Sequence, residues 1–138
     1  IDVTQYDVVF MSGGWGAAYD MGRSAELADV VTKANAKDAV ISAVCHGALG
    51  LINAKAKDGS SLIAGRSVTG VTDLQVKQLG IDITPMHPET ELRKASANYE
   101  ANTAFRDIFA THVVVDGNLV TGQNQNSSAE TVHHILKI

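Results

Sequence analysis

The segment that most constrains the fold of this chain is a continuous apolar run, residues 39–44, that ends in the tripeptide Cys45-His46-Gly47. A short run without polar alternation is typical of a strand that is buried on both faces, as in a parallel sheet. After Gly47 the apolar residues return at helical spacing, in the stretch GALGLINAKAK. The sequence therefore predicts a buried strand, a sharp turn and then a helix.

A second apolar run, residues 8–11, ends in the turn Ser12-Gly13-Gly14 and predicts another doubly buried strand. Apolar residues at helical spacing follow between residues 24 and 36. Ser24 is the expected N-cap of that helix.

The rest of the chain continues the alternation. Asp116-Gly117 stands between two β-branched runs and predicts a β-hairpin. Ser127 or Ser128 then caps a last helix that runs through Leu136. A strand is expected over residues 68–71, and further helices over 73–80, 89–94 and 103–110.

Alternating strands and helices predict an α/β fold with a mostly parallel sheet in a single domain, residues 1–138. The opening is unusual, because the chain starts almost directly on a predicted buried strand with no helix before it. A parallel sheet needs cover on both faces. We expect either that this strand lies at an edge or that the domain is incomplete and lacks an N-terminal strand-helix unit.

Composition excludes several functions. The net charge is -4, with 11 basic and 15 acidic residues that form no basic patch, which argues against nucleic acid as a partner. No apolar run approaches the ~20 residues that span a bilayer. The single cysteine excludes an internal disulfide and a cysteine pair for metal, and no metal or cofactor is expected. A reducing, cytoplasmic setting fits best.

The predicted turn at Cys45 has a chemical rationale. It would present the thiol at the carboxyl end of the sheet, over a helix N-terminus whose dipole and free N–H groups lower the thiol pKa. These groups, together with the Gly13-Gly14 turn, could hold an oxyanion. The alternative is that Cys45 is simply a small residue of the core.

Four segments carry a resemblance to a known family: SGGWG, AVCHGALGL, VTGVTD and VVVDGNLVTGQNQNSS. In this order and spacing they resemble the PfpI/ThiJ superfamily, the relatives of Parkinson disease protein 7 within the class I glutamine amidotransferase-like fold. The likeness is closest to the heat-shock-type branch of glyoxalases, deglycases and chaperones. It implies a flavodoxin-like three-layer sandwich, a homodimer and a catalytic cysteine.

The resemblance also implies roles for individual residues. Cys45 matches the nucleophile, and His46 matches the histidine that pairs with it. Asp73 is our match for the acidic residue that orients the histidine. Gly14 matches the glycine whose N–H serves the oxyanion site, to which Gly13 and Gly47 are expected to contribute.

The chain departs from the family pattern at two points. Relatives usually carry a glutamate near the first turn of the domain, hydrogen-bonded to the cysteine, and no glutamate of this chain matches it. We therefore predict that residues 1–138 are an incomplete domain that lacks about one N-terminal strand-helix unit, and that the glutamate lies there, upstream of Ile1, on a segment that is a possible partner of this chain. Trp15 stands where relatives often have histidine, so the substrate preference stays open.

Three functions stay open. The first is a cysteine-dependent enzyme that acts on small reactive aldehydes, as a glyoxalase or a deglycase. The second is a cysteine hydrolase of amides or peptides, and the third is a non-enzymatic stress chaperone or redox sensor. The polar loop 121–128 is expected to be structural with some contact at the rim of the site, and His87 is expected at the surface.

Overall fold

The protein is built around one central sheet. The computed structural model describes residues 1–81, 83–103 and 109–138. The strands in these residues are β1 (Val8–Met11), β2 (Val40–Val44), β3 (Ser67–Val68), β4 (Asn98–Tyr99), β5 (Val113–Asp116) and β6 (Leu119–Gly122). The α-helices are α1 (Ala17–Asp20), α2 (Ala25–Ala36), α3 (Asp73–Gln78), α4 (Pro88–Lys94) and α5 (Ser128–Ile135).

The central sheet has four strands in the order β1-β2-β6-β5. The pairs β1–β2 and β2–β6 are parallel, and only the hairpin pair β5–β6 is antiparallel. The short strands β3 and β4 form a separate parallel pair. The predicted α/β fold with a mostly parallel sheet is confirmed.

Helices cover both faces of this sheet. All five residues of β2 are buried. Ile41 belongs to a core cluster with Val31 of α2, whereas its neighbour Val40 packs with Val120 and Ile135 of α5. Because successive strand residues point to opposite faces, α2 and α5 lie on opposite sides of the sheet. This arrangement is the three-layer sandwich that the sequence predicts.

The strand β1 lies at the edge of the sheet, and it is only partly covered. Val8 is 38% exposed and Phe10 is 40% exposed. The prediction that this strand is buried on both faces is therefore wrong: Val8 and Phe10 point to one face, which stays exposed, whereas Met11 on the other face is buried. Among the described strands β1 is the outermost one at this edge, and the expectation of an absent N-terminal unit stays a prediction.

Local signals placed several elements correctly. The Ser24 hydroxyl accepts a hydrogen bond from the Leu27 N–H at 3.0 Å and caps α2. The hairpin turn contains Gly117 in the left-handed region, at φ 57°. The last helix begins at Ser128, although the Ser127 side chain makes no capping hydrogen bond.

Two predicted elements differ in the structure. The helix expected after Gly47 is a 3-10 helix, Cys45–Leu51. It ends before Asn53, whose side chain donates to the Gly22 carbonyl and ties the chain to another segment. The strand expected over residues 68–71 ends at Val68, because the Thr69 N–H donates to the Thr121 hydroxyl instead of continuing a ladder. Most of the helix predicted over 103–110 lies outside the described residues.

The length and composition of the helices decide whether any of them could span a membrane. Among the described residues, none of them has the length and apolar content needed to cross a bilayer.

The ends of β1 and β2 approach each other closely enough to require glycine. A Cβ atom at Gly47 would collide with the Met11 carbonyl oxygen and lie 2.8 Å from that of Ser12. A Cβ atom at Gly13 would lie 2.6 Å from the Val44 carbonyl oxygen and 2.7 Å from the Cβ of Cys45. The two turns at the carboxyl ends of the strands therefore interlock, and this contact positions Cys45.

We expect Gly47→Ala to lower the free energy of unfolding by about 1–3 kcal/mol, because the added methyl group meets backbone atoms that cannot rotate away. The matched control is Gly16→Ala, since a Cβ atom there meets nothing within 4 Å. Urea denaturation of both variants measures the difference. Equal stability of the two variants would contradict the interlocked turns.

Candidate active site

Cys45 sits on a strained turn directly after β2. Its φ is 61°, in the left-handed region that residues other than glycine rarely adopt. Such a conformation costs of order 1–3 kcal/mol and persists only where the surrounding structure enforces it. The strand before it and the 3-10 helix after it supply that enforcement. The predicted elbow is present, and Cys45 lies on it. The residue is partly exposed and is not a fully buried member of the core.

The thiol has three polar neighbours. The Cys45 Sγ lies 3.5 Å from His46 Nδ1. The backbone N–H groups of His46 and Gly14 also donate toward the sulfur. Gly14 has φ 110°, a conformation for which glycine is suited. The structure thus brings Cys45, His46 and Gly14 together, as expected, while their catalytic roles stay predictions.

The protonation states differ from the expectation of a preformed thiolate. Burial raises the pKa of the Cys45 thiol, and the hydrogen bonds from the His46 and Gly14 N–H groups offset this only in part. Burial likewise lowers the pKa of His46, and His87 lowers it further. The prediction that the helix dipole lowers the thiol pKa is wrong, because desolvation dominates in this short 3-10 segment. The resting pair is a neutral thiol beside a neutral imidazole.

Asp73 is near the site but does not contact His46 directly. One of its carboxylate oxygens, Oδ2, accepts a hydrogen bond from the Thr90 hydroxyl at 2.6 Å. The other, Oδ1, lies 3.7 Å from Nδ1 of His87. The Nε2 atom of His46 is buried and has no hydrogen-bond partner among the described residues. The orienting role of Asp73 toward His46 therefore stays a prediction, and the carboxylate faces a different histidine.

A cavity of about 440 Å³ opens beside Cys45. Most of its wall is apolar, and Trp15 and Leu79 are large side chains that remain 43% and 44% exposed. Gln125 and Ser128 from the polar loop 121–128 also line it, in agreement with the expected rim contact. The further lining residues are Phe10, Ser12, Gly13, Gly14, Val44, Cys45, His46 and Ile81.

Two further polar residues have features that the sequence did not predict. The His87 side chain is 39% exposed, in partial agreement with the expected surface position, but it also lowers the pKa of His46. Gln75 is almost completely buried, and its Nε2 has no hydrogen-bond partner within the described part of the chain. The only signal for Gln75 was its position three residues after Thr72, with which it forms a capping box.

The described residues contain no group of three or more His, Cys, Asp or Glu side chains that could hold a metal ion. The polar atoms of the site are the thiol, one imidazole and backbone N–H groups. This set suits attack on a carbonyl carbon and stabilisation of the resulting oxyanion.

A cysteine on a strained turn at the carboxyl end of a parallel sheet, with an imidazole and a glycine N–H beside it, defines an α/β protein with a nucleophile elbow. The model of the DJ-1/PfpI family matches residues 1–138, and the chain belongs to that family. The resemblance that the four sequence segments carried is thereby confirmed.

Named relatives refine this assignment. The chain is 31% identical to Glyoxalase 3 of Candida albicans, over 99% of this chain and 59% of the relative. It is 32% identical to the glutathione-independent glyoxalase HSP31 of Saccharomyces cerevisiae, over 95% of this chain and 56% of the relative. The chain thus spans less than two thirds of the length of these curated relatives.

A solved structure agrees with the fold. The Rapid Encystment Protein 24 KDa of Francisella tularensis superposes with a TM-score of 0.91 at 30% identity, over 99% of this chain and 60% of that one. The flavodoxin-like architecture of the described elements is therefore that of the family.

The raised pKa of Cys45 predicts how its reactivity depends on pH. The thiolate fraction at neutral pH is smaller than for a free cysteine, so alkylation by iodoacetamide is slow there. We expect the rate to keep rising as the pH passes the ordinary thiol value of 9.0.

Mass spectrometry of the single thiol measures this rate, with Cys45→Ser as the blank and the urea-unfolded protein as the reference for an ordinary cysteine. A rate that reaches a plateau below neutral pH would show a preformed thiolate and contradict the burial argument.

Proposed function

We propose that this chain carries the catalytic cysteine of a glutathione-independent glyoxalase, which converts a 2-oxoaldehyde such as methylglyoxal into a 2-hydroxy acid such as lactate. The observation that carries the proposal is the 3.5 Å contact between Cys45 Sγ and His46 Nδ1 at the wall of the cavity. The names of the curated relatives support the choice of substrate class.

In the first step the Cys45 sulfur attacks the aldehyde carbon. A carbon–sulfur bond forms, and the carbonyl electron pair becomes an oxyanion. Because the resting thiol is neutral, its proton passes to His46 Nδ1 as the attack proceeds. The N–H of Gly14, which points toward the sulfur, is placed to donate to the new oxyanion. Protonation of the oxyanion completes a hemithioacetal.

In the second step the proton on the former aldehyde carbon moves to the neighbouring ketone carbon. His46 is the base that removes it and the acid that returns it, and the product is a thioester of the hydroxy acid. Water then hydrolyses the thioester and restores the thiol. The aldehyde carbon is oxidised and the ketone carbon is reduced, so the reaction consumes one water and needs no external oxidant or reductant.

We expect Cys45→Ala to abolish lactate formation from methylglyoxal in the absence of glutathione, because no hemithioacetal can form. We expect His46→Gln to lower kcat by about 10²–10⁴, the usual contribution of a general acid–base group. The control is His133→Gln, since His133 is an exposed residue of α5. The assay uses the natural protein at its full length.

Other outcomes of the same assay select the other functions. Amide or peptide hydrolysis that depends on Cys45, without lactate, would overturn the glyoxalase in favour of a hydrolase. Suppression of protein aggregation that survives Cys45→Ala, again without lactate, would favour a chaperone. Release of lactate from glycated protein would extend the same chemistry to a deglycase.

The apolar wall of the cavity predicts a preference for bulky substrates. Trp15 lines the cavity beside Cys45 and packs in a T-shaped arrangement with Tyr19, with ring centroids 5.6 Å apart. We expect a higher kcat/KM for phenylglyoxal than for methylglyoxal. Trp15→Ala should raise the KM for phenylglyoxal about tenfold, the effect of losing roughly 50 Å² of apolar contact.

Methylglyoxal serves as the internal control for that variant, because its methyl group is too small to cover the indole. Equal changes in KM for the two substrates would contradict the proposed contact.

The open edge of β1 supports a further proposal about assembly. Val8 and Phe10 are exposed on a parallel strand, a class of strand that is normally covered. We propose that another strand pairs there, contributed by a segment outside this chain, and that a glutamate on that segment reaches Cys45. The homodimer and the cytoplasmic location stay predictions.

A further inference from the structure

A second histidine, His87, interacts electrostatically with His46, and its Nδ1 atom lies 3.7 Å from Asp73 Oδ1. We propose that Asp73 acts on His46 through His87, so that His87 is a positioning residue of the site. This inference rests on the proposed function, in which His46 moves the protons, and it replaces a direct Asp73–His46 pair with a longer chain of groups.

The first support is the set of polar atoms that remain unpaired. Nine side-chain atoms of the described residues are buried without a hydrogen-bond partner, and His46 Nε2, His87 Nδ1 and Asp73 Oδ1 are among them. The His87 Nδ1–Asp73 Oδ1 distance of 3.7 Å is short enough for an ion pair but longer than a hydrogen bond. A decrease of this distance to hydrogen-bond length would give both His87 Nδ1 and Asp73 Oδ1 a partner. Unpaired buried polar groups are costly, so two such atoms that face each other, on His87 and Asp73, are informative.

The second support is the rigid placement of His87. It occupies the N-cap position of α4, and its carbonyl accepts a hydrogen bond from the Glu91 N–H at 2.9 Å. Pro88 follows it and restricts its backbone to extended conformations. The helix α4 packs against the 3-10 helix that carries His46. The position of His87 is therefore fixed by the start of α4 and by the packing of that helix, and does not depend on a flexible loop.

The third support is the way that α4 holds Asp73. The Thr90 hydroxyl donates to Asp73 Oδ2 at 2.6 Å, and the Asp73 N–H donates to Glu89 Oε2 at 3.0 Å. Both contacts come from the helix that His87 begins. They leave Asp73 Oδ1 as the oxygen that faces the imidazole.

The charges around His87 set the sign of its effect. Asp73 faces it from α3, and Cys45 and His46 lie on the elbow. Glu89 on α4 is neutralised by Arg93 at 2.9 Å, and burial raises the pKa of Tyr99 on β4, which keeps that phenol neutral. Burial lowers the pKa of His46, and the neighbouring His87 lowers it further. His46 is thereby kept as a free base, which is the form that accepts the thiol proton.

His87→Gln removes the imidazole that lowers the pKa of His46, and it keeps a polar side chain of similar reach. His46 should then bind a proton at higher pH, so the acidic limb of the kcat/KM profile moves upward. We expect a loss of about three- to tenfold near pH 6 and little change near pH 8. His133→Gln, on the exposed face of α5, is the matched control.

A double-mutant cycle tests whether Asp73 acts through His87. If it does, Asp73→Asn adds nothing further to kcat/KM in the His87→Gln background. Full additivity of the two effects would overturn the proposed chain, because it would show that Asp73 acts independently. Thermal unfolding of each variant separates loss of structure from loss of function.

The ring-nitrogen NMR titration of His46 tests the same inference without any turnover, with His46→Gln used to assign the signal. An upward move of its midpoint in His87→Gln supports the proposal even if the wild-type protein forms no lactate, an outcome in which the proposed function alone fails. An unchanged midpoint overturns the proposal even if the wild-type protein is an active glyoxalase.

Discussion

The close approach of two strand ends is the constraint on which the site depends. β1 and β2 are parallel neighbours, so their carboxyl ends meet at one edge of the sheet. Gly47 packs onto the carbonyl groups that end β1, and Gly13 packs onto the end of β2 and onto Cys45 itself. Neither position can accept a side chain without a shift of backbone. The strained φ of Cys45 is stable because these contacts hold both sides of the turn.

The same burial that shapes the elbow sets its chemistry. A desolvated thiol and a desolvated imidazole both favour their neutral forms, so Cys45 and His46 are both uncharged before substrate binds. In the proposed reaction, proton transfer therefore accompanies attack on the carbonyl instead of preceding it. Such a site suits an electrophilic aldehyde, and it protects the thiol from oxidation that proceeds through the thiolate.

Much of the fold could be predicted from the sequence because the decisive signals are local. The run that forms β2, the Ser24 cap and the Asp116-Gly117 turn each specify their own element. The exposure of β1 and the early end of β3 could not be predicted in the same way. They depend on which strand lies beside another and on the contact of Thr69 with Thr121, across 52 positions of chain.

The residues of the site also divide into those that could be predicted from local sequence and those that could not. Cys45 could be identified because a strand, a turn and a glycine follow one another in sequence, and the family resemblance pointed to His46 and Gly14; the structure does bring the three together. The pairing of Asp73 with His87 could not, because it follows from the packing of α4 against α3. Sequence spacing likewise suggested a lowered thiol pKa, whereas the depth of burial decides its direction.

The central claim is that Cys45 itself attacks the substrate, and stoichiometric alkylation tests it most directly. The full-length protein is treated with iodoacetamide, and the fraction of Cys45 modified is compared with the fraction of methylglyoxal turnover lost. We predict that the two fractions rise together with a slope of one, and that methylglyoxal slows the modification. Undiminished turnover by a fully alkylated protein would contradict the claim.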